Sequence, residues 1–139
     1  MSVVTTVMLS VGTGEYGAVA HVNKCLRLRH QSNPNCPEIA YSYVNLRPIT
    51  GNLPEEMDPT QTADVALALW GGTKNPQADI WCGAYNSLDL EEFLGFVVSA
   101  LWENPEWVQV FVKREEDATF GVYAIRDNRI VSVLAPVWL

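Results

Sequence analysis

Three glycines, Gly12, Gly14 and Gly17, follow the β-branched run at residues 3–10 with the spacing G-x-G-x-x-G and precede a segment of helical periodicity. Strand, glycine turn and helix in that order are how a chain holds a dinucleotide. The glycines let the backbone turn sharply and approach a pyrophosphate, and the helix N-terminus offers free N–H groups. The rest of that fingerprint is misplaced. An acid for the ribose belongs about 20 residues on, at the end of the second strand. Glu38 has the right count but precedes its strand, which ends in Asn45 and Arg47. Glu15 brings negative charge toward the phosphate position, although a carboxylate also suits the first turn of any helix. A dinucleotide domain continues with alternating strands and helices, whereas hairpin signals follow here. The glycines are therefore expected to form a tight strand-to-helix turn. Nucleotide or dinucleotide binding at Gly12, Gly14 and Gly17, in an enzyme or a sensor, is the rival.

Other residues capable of chemistry are few. His21 and His30 are the available neutral-pH bases, one on a helix flank and one at a helix end. Cys36 lies six residues from His30 in a proline-flanked stretch near Arg29, which makes it the nucleophile candidate. The acid pairs Glu55–Glu56, Glu91–Glu92 and Glu115–Glu116 fall in expected loops and a first helical turn, where carboxylates are solvated. No GxSxG, HExxH, P-loop or calcium-loop pattern occurs, and Cys25, Cys36 and Cys82 match no zinc spacing. No catalytic residue, metal or cofactor is expected on these grounds.

At 139 residues with 48% apolar content, the chain is sized for one domain (1–139) with its own core. Three cysteines cannot all pair internally, and the first residues show neither a cationic start nor a small-residue cleavage site. A reducing, cytoplasmic setting is expected. No run approaches the roughly 18 apolar residues of a membrane span. The net charge of −7 is uneven: Lys24, Arg27 and Arg29 make the first helix cationic, and acids dominate thereafter. Such a field opposes nucleic acid and anionic membranes and attracts a basic protein.

Periodicity places a strand at 3–10, a helix at 15–30, and a strand at 39–46 ended by Pro48. A polar loop with Glu55, Glu56 and Asp58 spans 47–63. A hairpin joins 65–70 to 78–85 through Gly71, Gly72, Asn75 and Pro76. Asp89 and Glu92 form a capping pair for a helix that must end near Trp102, before Asn104 and Pro105. Strands at 107–113, 120–126 and 130–134 follow, with turns at 115–117 and 127–128. The expected fold is α+β: one mixed, mainly antiparallel sheet in the order β-α-β-β-β-α-β-β-β, with two helices packed on one face.

Alternation along 107–113 sends Val108, Val110 and Val112 to the core side and Trp107, Gln109, Phe111 and Lys113 to the other. Applied to 78–85, it sends the small residues Ala78, Ile80, Cys82 and Ala84 to the helices and Asp79, Trp81, Gly83 and Tyr85 outward. Trp81, Tyr85, Trp107 and Phe111 would then share a face suited to partner binding, or form a minor core under loop 47–63 or the tail at 135–139. Glu55, Glu56, Asp58, Glu115, Glu116 and Asp117 would surround it and steer a basic partner. In general character, small, acidic and without catalytic motifs, the chain is similar to the immunity and inhibitor proteins that accompany bacterial toxins. That resemblance implies a non-enzymatic domain that neutralises or regulates a protein partner. A structural subunit that forms a homodimer through the aromatic face is the third alternative.

Overall fold

The computed structural model describes residues 3–30, 43–49 and 77–134. The first strand, β1 (Val4–Gly12), alternates as its β-branched sequence demands, with Thr5, Val7, Leu9 and Val11 buried. It leads into α1 (Tyr16–His30), whose Ala18, Val19, Val22 and Leu26 recur at helical spacing and are buried. Arg27, Arg29 and His30 fill its last turn, where cations complement the helix dipole.

Two short strand residues, β2 (Arg47–Pro48), precede β3 (Ala78–Asn86), and α2 (Leu90–Ser99) follows. A 3-10 turn, Pro105–Trp107, leads to β4 (Gln109–Arg114), β5 (Gly121–Arg126) and β6 (Arg129–Leu134). The spatial order is β2-β3-β1-β4-β5-β6, and every neighbouring pair is antiparallel. The α+β class and the single sheet agree with the sequence expectation. Because β3 lies between β1 and β2, the unit β1-α1-β2 is a split β-α-β, extended beyond β4 by the β5–β6 hairpin. Among the described residues, no helix is long and apolar enough to cross a membrane.

Local chemistry sets the boundaries. Asp89 caps α2 by accepting the Glu92 N–H at 3.1 Å, but the Glu92 side chain turns to Arg29, 2.7 Å away, so only half of the expected capping box forms. The same helix ends at Ser99, earlier than expected, where Ala100 N–H and the Trp102 indole both donate to the Val97 carbonyl. Trp107 closes the 3-10 turn instead of opening a strand. Asp127 and Asn128, both at positive φ (52° and 61°), make the two-residue hairpin turn that their types favour. The expected strand at 39–46 is displaced: Tyr43 and Val44 form a 3-10 turn, and pairing with β3 begins at Arg47. Buried Asn23 fixes this segment by accepting from Leu46 N–H at 2.7 Å and donating to Leu46 C=O at 3.5 Å. The proposed strand at 65–70, its turn, most of loop 47–63, Cys36 and the tail at 135–139 lie outside the described residues.

Both helices bury the same sheet face. Val7, Leu9, Val110 and Val112 from the sheet join Val19, Val22, Phe93 and Val97 from the helices in one continuous core. Burying side chains of this size stabilises the fold by about 1.5–3 kcal/mol each.

Candidate functional site

The glycine turn is built for structure. Gly14 has φ +86°, a conformation that L side chains rarely adopt, and its N–H donates to Asp79 Oδ2 at 3.2 Å. A Cβ on Gly12 would lie 2.9 Å from the Trp107 ring, so glycine is required there for close packing. At Gly17 a Cβ would meet nothing within 4 Å. Glu15 is buried, and its two oxygens accept from the backbone N–H groups of Glu103 and Asn104 at 2.9 and 3.0 Å, tying the start of α1 to the chain after α2. Asp79 and Glu15 thus bring two buried carboxylates to the turn that a pyrophosphate would have to approach. Like charges about 4 Å apart repel by about 4 kcal/mol at an effective dielectric of about 20. This arrangement opposes an anion where the sequence motif suggested one.

The four aromatics expected on one outer face are divided between the two sides of the sheet. Trp81 stands opposite Leu9, in the same cross-strand row as Val110, and is 2% exposed beneath α1, where it meets Tyr16 edge-on at 6.3 Å. Tyr85 shares that side. Its ring lies over Gly83, its hydroxyl donates to Val44 C=O at 2.7 Å, and burial pushes its pKa up to about 12. The β3 assignment is therefore reversed: Asp79, Trp81, Gly83 and Tyr85 face the helices, and Ala78, Ile80, Cys82 and Ala84 face away. Alternation fixes the period but not the phase, and here pairing with β1 set the phase so that the large ring fills space beneath α1. For β4 the phase is as expected, with Val108, Val110 and Val112 fully buried and Phe111 on the far side. Trp107, 59% exposed, covers Gly12 at the end of that far side.

The acidic turn after β4 is partly used by the fold. Glu115 accepts Val4 N–H at 3.1 Å, Asp117 accepts Arg114 N–H at 3.0 Å, and Glu116 is exposed. Glu55, Glu56 and Asp58 lie outside the described residues.

Among the described residues no α-helix covers the other side of the sheet, and this helix-free face carries a feature that period alone did not reveal. One cross-strand row runs through all six strands: Arg47, Cys82, Met8, Phe111, Val122 and Leu134. Five of the six are apolar and contiguous, forming a ladder about 19 Å long at ordinary strand spacing. Leu134 is 54% exposed, the other apolar members are half-buried, and Phe111 meets Phe120 edge-on at 6.3 Å. Burial pushes the Cys82 thiol pKa up, so the thiol behaves as a small apolar member. The next row, Ile80, Ser10, Gln109, Ala124 and Val131, mixes apolar and polar groups.

Two further constellations join residues distant in sequence. His21 Nε2 lies 3.0 Å from Ser99 Oγ and 3.6 Å from Cys25 Sγ, while the Ser99 hydroxyl donates to Phe96 C=O at 2.9 Å. With the serine proton used there, Ser99 can only accept from the ring, so Nε2 carries hydrogen and is no proton acceptor for the thiol. The i, i+4 spacing of His21 and Cys25 on a helix was the signal for this pair. Separately, a cleft of about 510 Å³ opens where the end of α1 meets the start of α2. Leu26, Tyr85, Phe93 and Phe96 help to line it, and the Arg29–Glu92 ion pair stands at its margin with His30, whose ring lies 2.6 Å from the Tyr43 hydroxyl. Among the described residues, no group of His, Cys, Asp and Glu is arranged to hold a metal ion.

Comparison with protein-family models, with curated proteins and with solved structures finds no match to this chain.

Proposed function

We propose that this is a non-enzymatic, cytoplasmic protein-binding domain that neutralises or regulates its partner, and that the partner sits on the helix-free face of the sheet. The observation that carries the proposal is the apolar ladder from Cys82 through Met8, Phe111 and Val122 to Leu134, which no described helix covers. Contiguous apolar surface of this kind, with Gln109, Thr6 and Lys113 beside it, is the composition of recognition surfaces. The six-stranded sheet holds these side chains in fixed register, so binding would require little ordering of the domain itself. The carboxylates at the glycine turn weigh against the nucleotide-binding rival. The test is to recover the partner by affinity capture from the source cells and then measure its affinity for Phe111→Glu and Val122→Glu. At least a hundredfold loss is expected, since a buried unpaired charge costs several kcal/mol at the centre of an interface. Unchanged affinity would overturn the assignment of this face.

A further inference from the structure

We infer that the segment recognised by the helix-free face is an acidic polypeptide that alternates carboxylates with apolar side chains. This rests on the binding function proposed above and adds the partner's sign and class. The sign is the reverse of what a net charge of −7 suggests. The strand positions of this face carry four cations, Arg47, Lys113, Arg126 and Arg129, and not one Asp or Glu. Arg47 ends the apolar ladder beside Cys82, Lys113 stands two residues from Phe111, and the remaining two arginines stand at the opposite side of the sheet. Among the described residues, Arg47, Lys113 and Arg129 make no ion pair.

Arg126 and Arg129 stand directly opposite each other across the hairpin. Like charges in that position destabilise a sheet, and Arg126 relieves the contact only by donating to its neighbour's carbonyl at Ile125, 2.7 Å away, and to Glu106 C=O at 3.5 Å. Two arginines at facing positions concentrate positive charge at this end of the face, and Arg129, which makes no ion pair among the described residues, is left to meet a carboxylate. The described acids lie outside these strand positions: Glu115, Glu116 and Asp117 in the turn after β4, with Glu115 held on Val4 N–H, Glu103 and Glu106 between α2 and β4, Asp127 in the β5–β6 turn, Asp89, Glu91 and Glu92 at the start of α2, and Glu15 and Asp79 buried at the glycine turn.

Other occupants fit less well. A second copy would bring the same four cations face to face. Single-stranded nucleic acid is held by successive bases stacked on aromatic rings, yet Phe111 is the one aromatic among the described strand positions of this face. Extended polyanions and anionic membranes also feel the acidity of the whole protein, whereas a short segment seated on the face responds chiefly to charges within a Debye length of about 8 Å.

The full-length protein should be titrated with three synthetic peptides of equal length, alternating Glu/Leu, Lys/Leu and Glu/Ser, together with oligo-dT and phosphatidylserine vesicles. The Glu/Leu peptide is expected to bind at least about tenfold more tightly than every other probe and to lose about tenfold in Lys113→Glu/Arg129→Glu, with steeper loss at high salt. Preference for Lys/Leu that disappears in Phe111→Glu would keep the binding face and overturn its sign. Failure of both leucine peptides would instead overturn the binding face itself. Tighter binding of oligo-dT or vesicles would overturn the polypeptide class. A photo-crosslinker at position 111 that reacts with residues 50–76 of the same chain would name an internal occupant and likewise overturn the inference.

Discussion

The two faces of this sheet share one set of strands and have opposite fates. Toward the helices, Trp81, Val7, Val110 and Phe93 interlock to the exclusion of water; of the polar groups there, Glu15 binds two backbone N–H groups and Asn23 clamps Leu46, while the buried Tyr123 hydroxyl has no hydrogen-bond partner among the described residues. Away from the helices, Met8, Phe111, Val122 and Leu134 form a ladder of similar apolar character that stays partly exposed and is rimmed by cations. Apolar content alone therefore does not make a core: one side has α1 and α2 as a second layer, and among the described residues no α-helix covers the other.

Truncating one aromatic on each side should separate the two faces by stability. Phe93→Ala should destabilise the domain by about 3–5 kcal/mol in urea unfolding, because it leaves a cavity in a closed core. Phe111→Ala, on the open face, should cost less than about 1.5 kcal/mol. Equal losses would mean that the ladder is a second core. Glu15→Ala should come next, at about 2–3 kcal/mol, through two buried N–H groups left without their charged acceptor. Gly14→Ala should cost about 1 kcal/mol, from the left-handed conformation at that residue.

The smallest effect is also the most diagnostic of sign. Arg129→Thr should raise stability by a few tenths of a kcal/mol by removing a like-charge cross-strand pair, while weakening partner binding. A variant that stabilises the fold and impairs recognition would sharpen the distinction between the two faces. pH offers a separate probe of the helix side. Burial raises the Tyr85 pKa from 10.0 to about 12 in the folded state, so the neutral phenol is favoured there. Its contribution is fully present below about pH 10, is lost as pH rises through about 12, and should be absent from the alkaline unfolding profile of Tyr85→Phe.

Much of this architecture is written locally. The β-branched alternation of β1, the apolar stripe of α2 and the Asp127–Asn128 turn each specify their own conformation. The α+β class and the packing of both helices on one side follow from them. The face on which Trp81 and Tyr85 lie is not local, because a strand's alternation is the same read from either side. Only the pairing of Leu9 with Trp81 decides it. The cationic rim was hidden for the same reason: Arg47, Lys113 and Arg129 are far apart in the chain and become neighbours of one ladder only through six-strand register. Glu15 could be read from sequence as a favourable first-turn acid, but its bonds to Glu103 and Asn104 span 88 and 89 residues.

Methyl-detected NMR of the domain titrated with its captured partner decides whether the partner sits on the proposed face. The largest perturbations should fall on Met8, Val122 and Leu134, with Val7 and Val97 unmoved. Perturbations centred on residues 12–17, or on Leu26 and Leu88 at the cleft, would contradict it.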